Sequence, residues 1–188
     1  MINIAIFASG SGSNAENIAE YFKENDDVNI VLIVSNKKDA FVHERAKKMN
    51  IESVTFAKND FELTSKVLDC LIERNVDFIV LAGFLLKVPD NLLQAFPDKI
   101  VNIHPALLPK FGGRGMYGDA VHKAVVEAGE TESGITIHYV NENYDEGAVI
   151  FQAKCPVLKS DTYEDVAKKV HTLEYTHFPV IIEKLLKA

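Results

Sequence analysis

Short apolar runs alternate with amphipathic segments through the first hundred residues of this chain. The runs are too brief for buried helices and are typical of buried strands. They occupy residues 2–7, 28–34, 53–56, 77–81 and 100–103. Segments with helical spacing follow at 15–23, around 41–49, at 60–74 and at 89–96. Strands that alternate with helices predict an α/β fold with a doubly wound, mostly parallel sheet.

The end of the chain breaks this alternation. Two strand-like runs, at 134–140 and 148–157, are separated only by a short polar loop, and so short a connection predicts an antiparallel C-terminal strand pair. A final helix is expected from Thr162, bent or broken at Pro179, because proline lacks the N–H that a helix interior uses. At 188 residues the chain is expected to form a single domain.

Charge and composition argue against some classes of partner. The net charge of −7 disfavours a nucleic acid, because binding to phosphate backbones needs clustered Lys and Arg. No apolar run approaches the roughly 18 residues that a membrane span needs. Met1 leads directly into an apolar strand rather than a signal peptide, so a cytoplasmic protein is expected. Cys70 and Cys155 match no metal spacing and are predicted to be small core residues.

A glycine–serine loop, residues 8–14, joins the first strand to the first helix. Gly10, Gly12 and Ala15 fit the G-x-G-x-x-A pattern of dinucleotide sites, which requires this strand-to-helix context. Such sites also use an acidic residue at the end of the second strand to hold the ribose, but that strand ends in Ser35 and Asn36. The missing acid disfavours NAD, which remains a competing interpretation.

The same loop suits a single phosphate monoester better. Ser11, Ser13 and Asn14 supply hydroxyl and amide groups, and the free N–H groups at a helix start favour an anion. The structural alternative is a tight turn in which Ser13 or Asn14 is the N-cap. Capping and phosphate binding are compatible, so we predict a phosphate site here.

Two polar side chains mark the fifth predicted strand. Asn102 and His104 stand at alternate positions, and side chains repeat with period two along a strand, so both point to the same face. Pro105 and Pro109 then stop the regular structure, and a glycine-rich loop follows. An amide beside an imidazole at a strand end indicates part of a functional site. The alternative is a strand tip whose polar groups are satisfied by neighbouring loops.

An aspartate, Asp145, lies in the loop between the last two predicted strands. By itself it is typical of turn chemistry. If the fold brings Asp145 beside His104, its carboxylate would hold the imidazole in one tautomer and raise its pKa. His138 could border the same site, although a cross-strand structural role is favoured. The other histidines are predicted to be surface or packing residues: His43, His122, His171 and His177.

Together these elements resemble the folate-dependent formyltransferases, from Met1 to about Pro179. The resemblance is carried by SGSGSN after the first strand, VLAGF at 80–84, VNIHPALLPKF at 101–111 and GITIHYVNENYDEGAVI at 134–150. The glycine–serine loop and the single-domain length point to the phosphoribosylglycinamide formyltransferase branch in particular.

The resemblance implies a Rossmann-like formyltransferase fold and an enzyme of purine biosynthesis. It would transfer the formyl group of 10-formyltetrahydrofolate to the amine of 5'-phosphoribosylglycinamide. Asn102, His104 and Asp145 would be the catalytic residues, stabilising a tetrahedral intermediate and moving protons with no metal. Only small-molecule substrates are expected as partners, with no nucleic acid and no membrane, and the chain would be a monomer or a homodimer.

The resemblance also implies binding residues in both parts of one catalytic domain, 1–188. Residues of about 1–100 would bind phosphate, and residues of about 101–188 would carry catalysis and bind folate. The ribonucleotide would be held by Gly12, Ser13, Asn14 and Glu174. The folate would be held by Leu85, Leu86, Lys87, Val88 and Asn102. The alternative for Glu174 is a solvated helix charge, and the alternative for 85–88 is core packing.

The sequence departs from the family pattern in three places. Ala106 stands where many members have Ser, the 111–122 segment is longer than in the shortest bacterial members, and no basic residue near position 60 matches a folate contact. Relatives that formylate initiator tRNA or deformylate folate would normally carry a further domain, and both are disfavoured. The rival from another class is a non-catalytic nucleotide-binding module, which leaves Asn102, His104 and Asp145 unexplained.

Overall fold

The structure is a computed structural model and describes residues 1–187. These residues form two compact units, of which the first ends at Val101 and the second begins at Asn102. Each unit has its own strands, helices and buried apolar side chains.

The first unit is built on four parallel strands. They are β1 (Ile2–Phe7), β2 (Val28–Ser35), β3 (Ser53–Thr55) and β4 (Phe78–Leu81), in the order β3-β2-β1-β4. Strand β1 lies between two parallel neighbours, with Ile4 opposite Ile30 on one side and Phe78 on the other. It is buried from Ile4 onward, which explains why its sequence is a continuous apolar run rather than an alternating one.

Five helices accompany these strands. They are α1 (Ser13–Phe22), α2 (Val42–Lys48), α3 (Lys58–Leu63), α4 (Lys66–Glu73) and α5 (Asp90–Ala95). Helix α1 buries Ala15, Ile18, Ala19 and Phe22, which recur every three or four residues and so share one face. The helix therefore follows from the apolar spacing seen in the sequence.

The single helix predicted over 60–74 is wrong, because the chain forms α3 and α4 with a break between them. Thr64 has extended backbone angles, φ −137° and ψ 168°. Its hydroxyl donates to the carbonyl of Asp60 at 2.8 Å and accepts the N–H of Lys66 at 3.2 Å. Such local side-chain bonds replace helical backbone bonds, and apolar spacing does not reveal them.

Strand β5 (Ile100–His104) crosses from the first unit into the second, which continues with α6 (Asp119–Glu127), β6 (Glu132–Tyr139), β7 (Val149–Pro156) and α7 (Tyr163–Leu186). The strands follow the order β5-β6-β7. β6 and β7 are antiparallel, with Gly134 opposite Lys154 and Thr136 opposite Gln152. The predicted α/β class, a mostly parallel sheet with an antiparallel C-terminal pair, is confirmed.

Helix α7 has 24 residues and continues through Pro179, so of the predicted bend or break the break is wrong. The helix begins with a capping box, in which Thr162 Oγ1 accepts the N–H of Asp165 at 3.3 Å and the Asp165 carboxylate accepts the N–H of Thr162 at 3.0 Å. Phe178 and Ile182 on either side of Pro179 are fully buried. Their packing holds the helix together although proline removes one backbone hydrogen bond.

We predict that Gly134→Ala destabilises the fold. A Cβ at Gly134 would lie 2.0 Å from the carbonyl oxygen of Ala153 and 2.8 Å from Leu107 Cδ2. The two strands would have to move apart, and we expect the free energy of unfolding to fall by about 1–3 kcal/mol. Urea unfolding measures this change. Gly10→Ala is the control, because a Cβ there meets no atom within 4 Å, and equal unfolding midpoints for both variants would contradict the prediction.

Candidate active site

Four polar side chains meet in the second unit, at the end of β5 and beside the loop between β6 and β7. Nδ1 of His104 lies 3.5 Å from Asp145 Oδ2, and Nε2 of His138 lies 3.6 Å from Asp145 Oδ1. Asn102 Nδ2 lies 3.0 Å from His138 Nε2. The structure thus brings together the three predicted catalytic residues and adds His138. We call these four residues the Asp145 cluster.

The imidazole of His104 is fixed by contacts on two sides. Its Nε2 lies 2.8 Å from the carbonyl oxygen of Phe111, which can only accept, so Nε2 carries the proton in the neutral ring. The lone pair at Nδ1 then faces Asp145. Because the ring is only 3% exposed, burial lowers the pKa of His104, and the charge of Asp145 and the Phe111 carbonyl offset this only in part. Asp145 therefore raises the pKa as expected, but burial outweighs it, so the net shift of the His104 pKa is downward.

The carboxylate of Asp145 is held by the glycine-rich loop that follows β5. Gly113 N–H donates to Asp145 Oδ2 at 2.9 Å, and a Cβ at Gly112 would lie 3.4 Å from Asp145 Cβ and 2.4 Å from Leu108 Cδ2. Burial alone would raise the pKa of Asp145, but the rings of His138 and His104 and the N–H of Gly113 lower it overall. The pKa values of Asp145 and His104 are thus both shifted downward.

His138 has a larger part in the cluster than its sequence position indicated. The side chain is 2% exposed, its Nδ1 donates to the carbonyl of Tyr139 at 2.7 Å, and its Nε2 accepts an N–H of Asn102. The bond to His138 uses one of the two amide N–H groups of Asn102 and so orients the other. The sequence carried a signal for the position of His138, because Thr136 and His138 alternate on one face of β6. In the structure Thr136 Oγ1 donates to the carbonyl of Ala106, shortly after His104, at 2.7 Å.

The glycine–serine loop of the first unit leads into α1 with a left-handed residue at the N-cap. Gly12 occupies that position with φ 72°, and Ser13 and Asn14 form the start of the helix. The capping alternative is wrong, because neither Ser13 nor Asn14 is the N-cap and the N-cap has no side-chain hydrogen bond. A Cβ at Gly12 would lie 2.3 Å from Val42 Cγ2, so only glycine fits. Ser11 Oγ lies 3.5 Å from Ser13 Oγ, so two hydroxyls lie close together at the start of α1, where the first backbone N–H groups have no partner within the helix.

The end of β2 has no acidic side chain that could hold a ribose. Asn36 there accepts the Ser9 hydroxyl at 2.5 Å, and Ser9 Oγ in turn accepts the N–H of Leu85 at 2.9 Å. These bonds tie the glycine–serine loop to the 85–88 segment within the first unit. In that segment Leu85 and Leu86 are half-buried, Lys87 is exposed and Val88 is buried. Its side chains thus divide between the core and the surface.

Glu174 is buried on α7, with 4% of its surface exposed, so the solvated-charge alternative is wrong. Its Oε2 lies 2.8 Å from His171 Nδ1, and this hydrogen bond raises the pKa of His171. His122 on α6 is also buried, its ring centre lies 6.3 Å from that of His171, and burial lowers the pKa of His122. Glu174 is therefore a buried carboxylate that forms a cluster of polar side chains with His171 on α7 and His122 on α6.

The remaining histidines have packing or structural contacts. His43 Nδ1 lies 3.0 Å from Ser53 Oγ, and the ring of His177 lies 5.0 Å from that of Phe151. Cys70 and Cys155 are buried and free, as predicted. Within residues 1–187 no group of three or more His, Cys, Asp or Glu side chains is arranged to hold a metal ion. No helix in the same range is long and apolar enough to cross a membrane.

The chain is similar to known proteins over nearly its whole length. The model of the formyl transferase family matches residues 2–182. The chain is 39% identical to phosphoribosylglycinamide formyltransferase of Bacillus subtilis, covering 99% of this chain and 95% of that protein. It is 46% identical to the chloroplastic phosphoribosylglycinamide formyltransferase of Arabidopsis thaliana over 89% of this chain. The chain spans 59% and 60% of the lengths of that plant protein and its Vigna unguiculata counterpart.

Solved structures show the same fold. Glycinamide ribonucleotide transformylase 1 of Geobacillus kaustophilus superimposes with a TM-score of 0.89 at 35% identity, covering 99% of both chains. Phosphoribosylglycinamide formyltransferase of Streptococcus pneumoniae gives a TM-score of 0.87 at 35% identity, with the same coverage. The chain belongs to the formyl transferase family, on its phosphoribosylglycinamide formyltransferase branch.

Proposed function

We propose that this chain transfers the formyl group of 10-formyltetrahydrofolate to the amine of 5'-phosphoribosylglycinamide, in the de novo synthesis of purines. The Asp145 cluster is the observation that carries this proposal, because it joins a hydrogen-bond donor, a proton acceptor and a carboxylate that stabilises the protonated acceptor. In this proposal the chain acts as one catalytic domain in the cytoplasm, as a monomer or homodimer, on small molecules, with no nucleic-acid or membrane partner.

The reaction forms one C–N bond and breaks another at the formyl carbon. As the amine attacks, the formyl oxygen gains negative charge. Asn102, whose amide is oriented by His138, donates its second N–H to that oxygen. Preorganised donors of this kind typically account for a large part of catalysis in acyl transfer.

His104 moves the proton. In its neutral form Nε2 is already protonated, so the imidazole accepts at Nδ1 the proton that the attacking amine loses. Asp145, at 3.5 Å, stabilises the imidazolium that results. The imidazolium then gives the proton to the folate nitrogen as its bond to the formyl carbon breaks. No step needs a metal or a nucleophilic side chain.

The local structure supports the following proposed binding roles. Gly12, Ser13 and Asn14 would hold the phosphate at the start of α1, where backbone N–H groups favour an anion. Glu174, a buried carboxylate, would accept hydrogen bonds from the ribonucleotide. In the first unit, Leu85, Leu86, Lys87 and Val88 would be folate-binding residues, and in the second unit Asn102 would be one. In that segment, Leu85 already gives its N–H to Ser9, so its side chain and carbonyl would contact the folate.

We expect release of unformylated folate only when the chain, 10-formyltetrahydrofolate and 5'-phosphoribosylglycinamide are all present. The absorbance of the folate measures turnover directly, and a reaction without the ribonucleotide is the control. A non-catalytic nucleotide-binding module would bind the ribonucleotide without releasing folate. Binding without turnover would therefore refute the proposed function.

We expect His104→Ala and Asp145→Asn each to lower kcat by roughly 10²–10⁴, as loss of a positioned acid–base group does. The first removes the proton acceptor, and the second removes the charge that stabilises the imidazolium. His177→Ala and Glu146→Gln are matched controls, because His177 packs on Phe151 outside the cluster and Glu146 is exposed beside Asp145. Near-normal turnover in either cluster variant, with the fold intact, would refute the role assigned to that residue.

We expect kcat/KM to fall in acid with a midpoint below 6.5, the ordinary pKa of histidine, because burial lowers the pKa of His104. A neutral His104 is the reactive form, so activity is present above its pKa and is lost as the pH falls through it. In Asp145→Asn the imidazolium loses its partner, so the pKa of His104 should fall further. An NMR titration of the imidazole in both proteins measures these values. A midpoint above 6.5, or a rise in the variant, would contradict this assignment.

A further inference from the structure

The glycine–serine loop is held from one side by helix α2. Val42 N–H donates to the carbonyl of Gly10 at 3.1 Å, and Arg45 Nε–H donates to the carbonyl of Ser11 at 2.8 Å. Two successive carbonyls of the loop therefore point toward α2. The same helix contacts Gly12, where a Cβ would lie 2.3 Å from Val42 Cγ2.

These carbonyl bonds determine where the N–H groups of the loop point. In a trans peptide the C=O of one residue and the N–H of the next point in opposite directions. Because the carbonyls of Gly10 and Ser11 face α2, the N–H groups of Ser11 and Gly12 face away from it. Successive N–H groups turned to one side form a concave site that favours anions.

Arg45 also neutralises an acidic side chain at the start of α1. Its Nη1 pairs with the carboxylate of Glu16, which lies in the first turn of that helix. A carboxylate there is favourable for the helix dipole but would repel a bound phosphate. The guanidinium lies 5.1 Å above the centre of the Phe41 ring, and the Arg45 side chain is 23% exposed, so the group is held on three sides.

We propose that Arg45 is the positioning residue of the phosphate site, an inference that rests on the proposed phosphate role of this loop. Arg45 turns the Ser11–Gly12 peptide so that its N–H faces the phosphate, and it offsets the charge of Glu16. A planar guanidinium does both at once, because Nε–H binds the carbonyl while Nη1 binds the carboxylate. Lysine, with one ammonium group, would not keep both contacts in this geometry.

The test is steady-state kinetics of the full chain with Arg45→Met, Arg45→Lys and Lys48→Met. Methionine keeps length and packing on Phe41 but loses the charge and the donors. We expect Arg45→Met to raise the KM for the ribonucleotide roughly tenfold or more, since a hydrogen bond to a charged group is lost. We expect kcat at saturation and the KM for the folate to change by less than about twofold. Arg45→Lys should be intermediate.

Lys48→Met is the matched control, because it removes one positive charge from an exposed position of the same helix. It should leave the KM for the ribonucleotide unchanged. Ser13→Asp is the comparison variant, because it places a carboxylate against the phosphate and should raise the same KM. An unchanged KM in Arg45→Met, or an equal loss in kcat and in both KM values, would overturn the positioning role.

Glu16→Gln tests the charge offset separately. In the double variant with Arg45→Met, removal of the uncompensated carboxylate should recover part of the lost ribonucleotide affinity. No recovery would overturn this half of the proposal.

Binding of inorganic phosphate separates this inference from the proposed reaction. Phosphate should raise the melting temperatures of the unaltered chain and of Lys48→Met by similar amounts. The rise for Arg45→Met should be much smaller. If the unaltered chain shows no turnover but this pattern holds, the proposed reaction fails and the role of Arg45 stands. If phosphate raises the melting temperature of all three proteins equally, the role of Arg45 fails.

Discussion

A buried imidazole held between a carboxylate and a backbone carbonyl is the constraint on which the second unit depends. His104 gives one ring N–H to Phe111 and turns its lone pair toward Asp145. Phe111 and Asp145 both have left-handed backbones, with φ 55° and 56°. Such backbones cost roughly 1–3 kcal/mol each. The glycine-rich loop supports them, because Gly113 donates to Asp145 and Gly112 leaves room beside it.

The Asp145 cluster also shows how a charge is kept in a largely buried place. A carboxylate withdrawn from water is stable only when its oxygens have partners. Asp145 Oδ2 accepts the N–H of Gly113, and Nδ1 of His104 and Nε2 of His138 lie 3.5 and 3.6 Å from the two carboxylate oxygens. His138 is fixed in turn by Tyr139 and Asn102, so the carboxylate, both rings and the amide form one connected network. Such networks are effective when every member is satisfied.

The strands could be predicted from sequence because a buried strand requires a short, continuous run of apolar residues, and such runs are visible in the sequence. The break at Thr64 could not, because it arises from hydroxyl bonds that compete with the helix rather than from apolar spacing. The burial of Glu174 left a trace that spacing can detect. Val170, Glu174 and Phe178 are four residues apart and therefore lie on one buried face of α7.

The residue types of the Asp145 cluster were predictable from sequence, but their electrostatics were not. The sequence places Asn102 and His104 on one face of a strand, yet the proximity of Asp145 depends on how β6 and β7 fold back. The net direction of the His104 pKa shift was not predictable for a related reason, although Asp145 does raise this pKa as expected. A neighbouring carboxylate can be guessed from sequence, whereas the loss of water around the ring can be known only when the whole unit is folded.

The burial of His104 has a consequence for the folded state as well as for the reaction. A histidine whose pKa is lower in the folded protein than in the unfolded chain stabilises the fold above its unfolded pKa, and this stabilisation is lost as the pH falls through the folded pKa. His104 and His122 are both of this kind, whereas His171 is shifted in the opposite direction. Protonation of His104, the proposed base, is therefore expected to lower both the activity and the stability of the second unit.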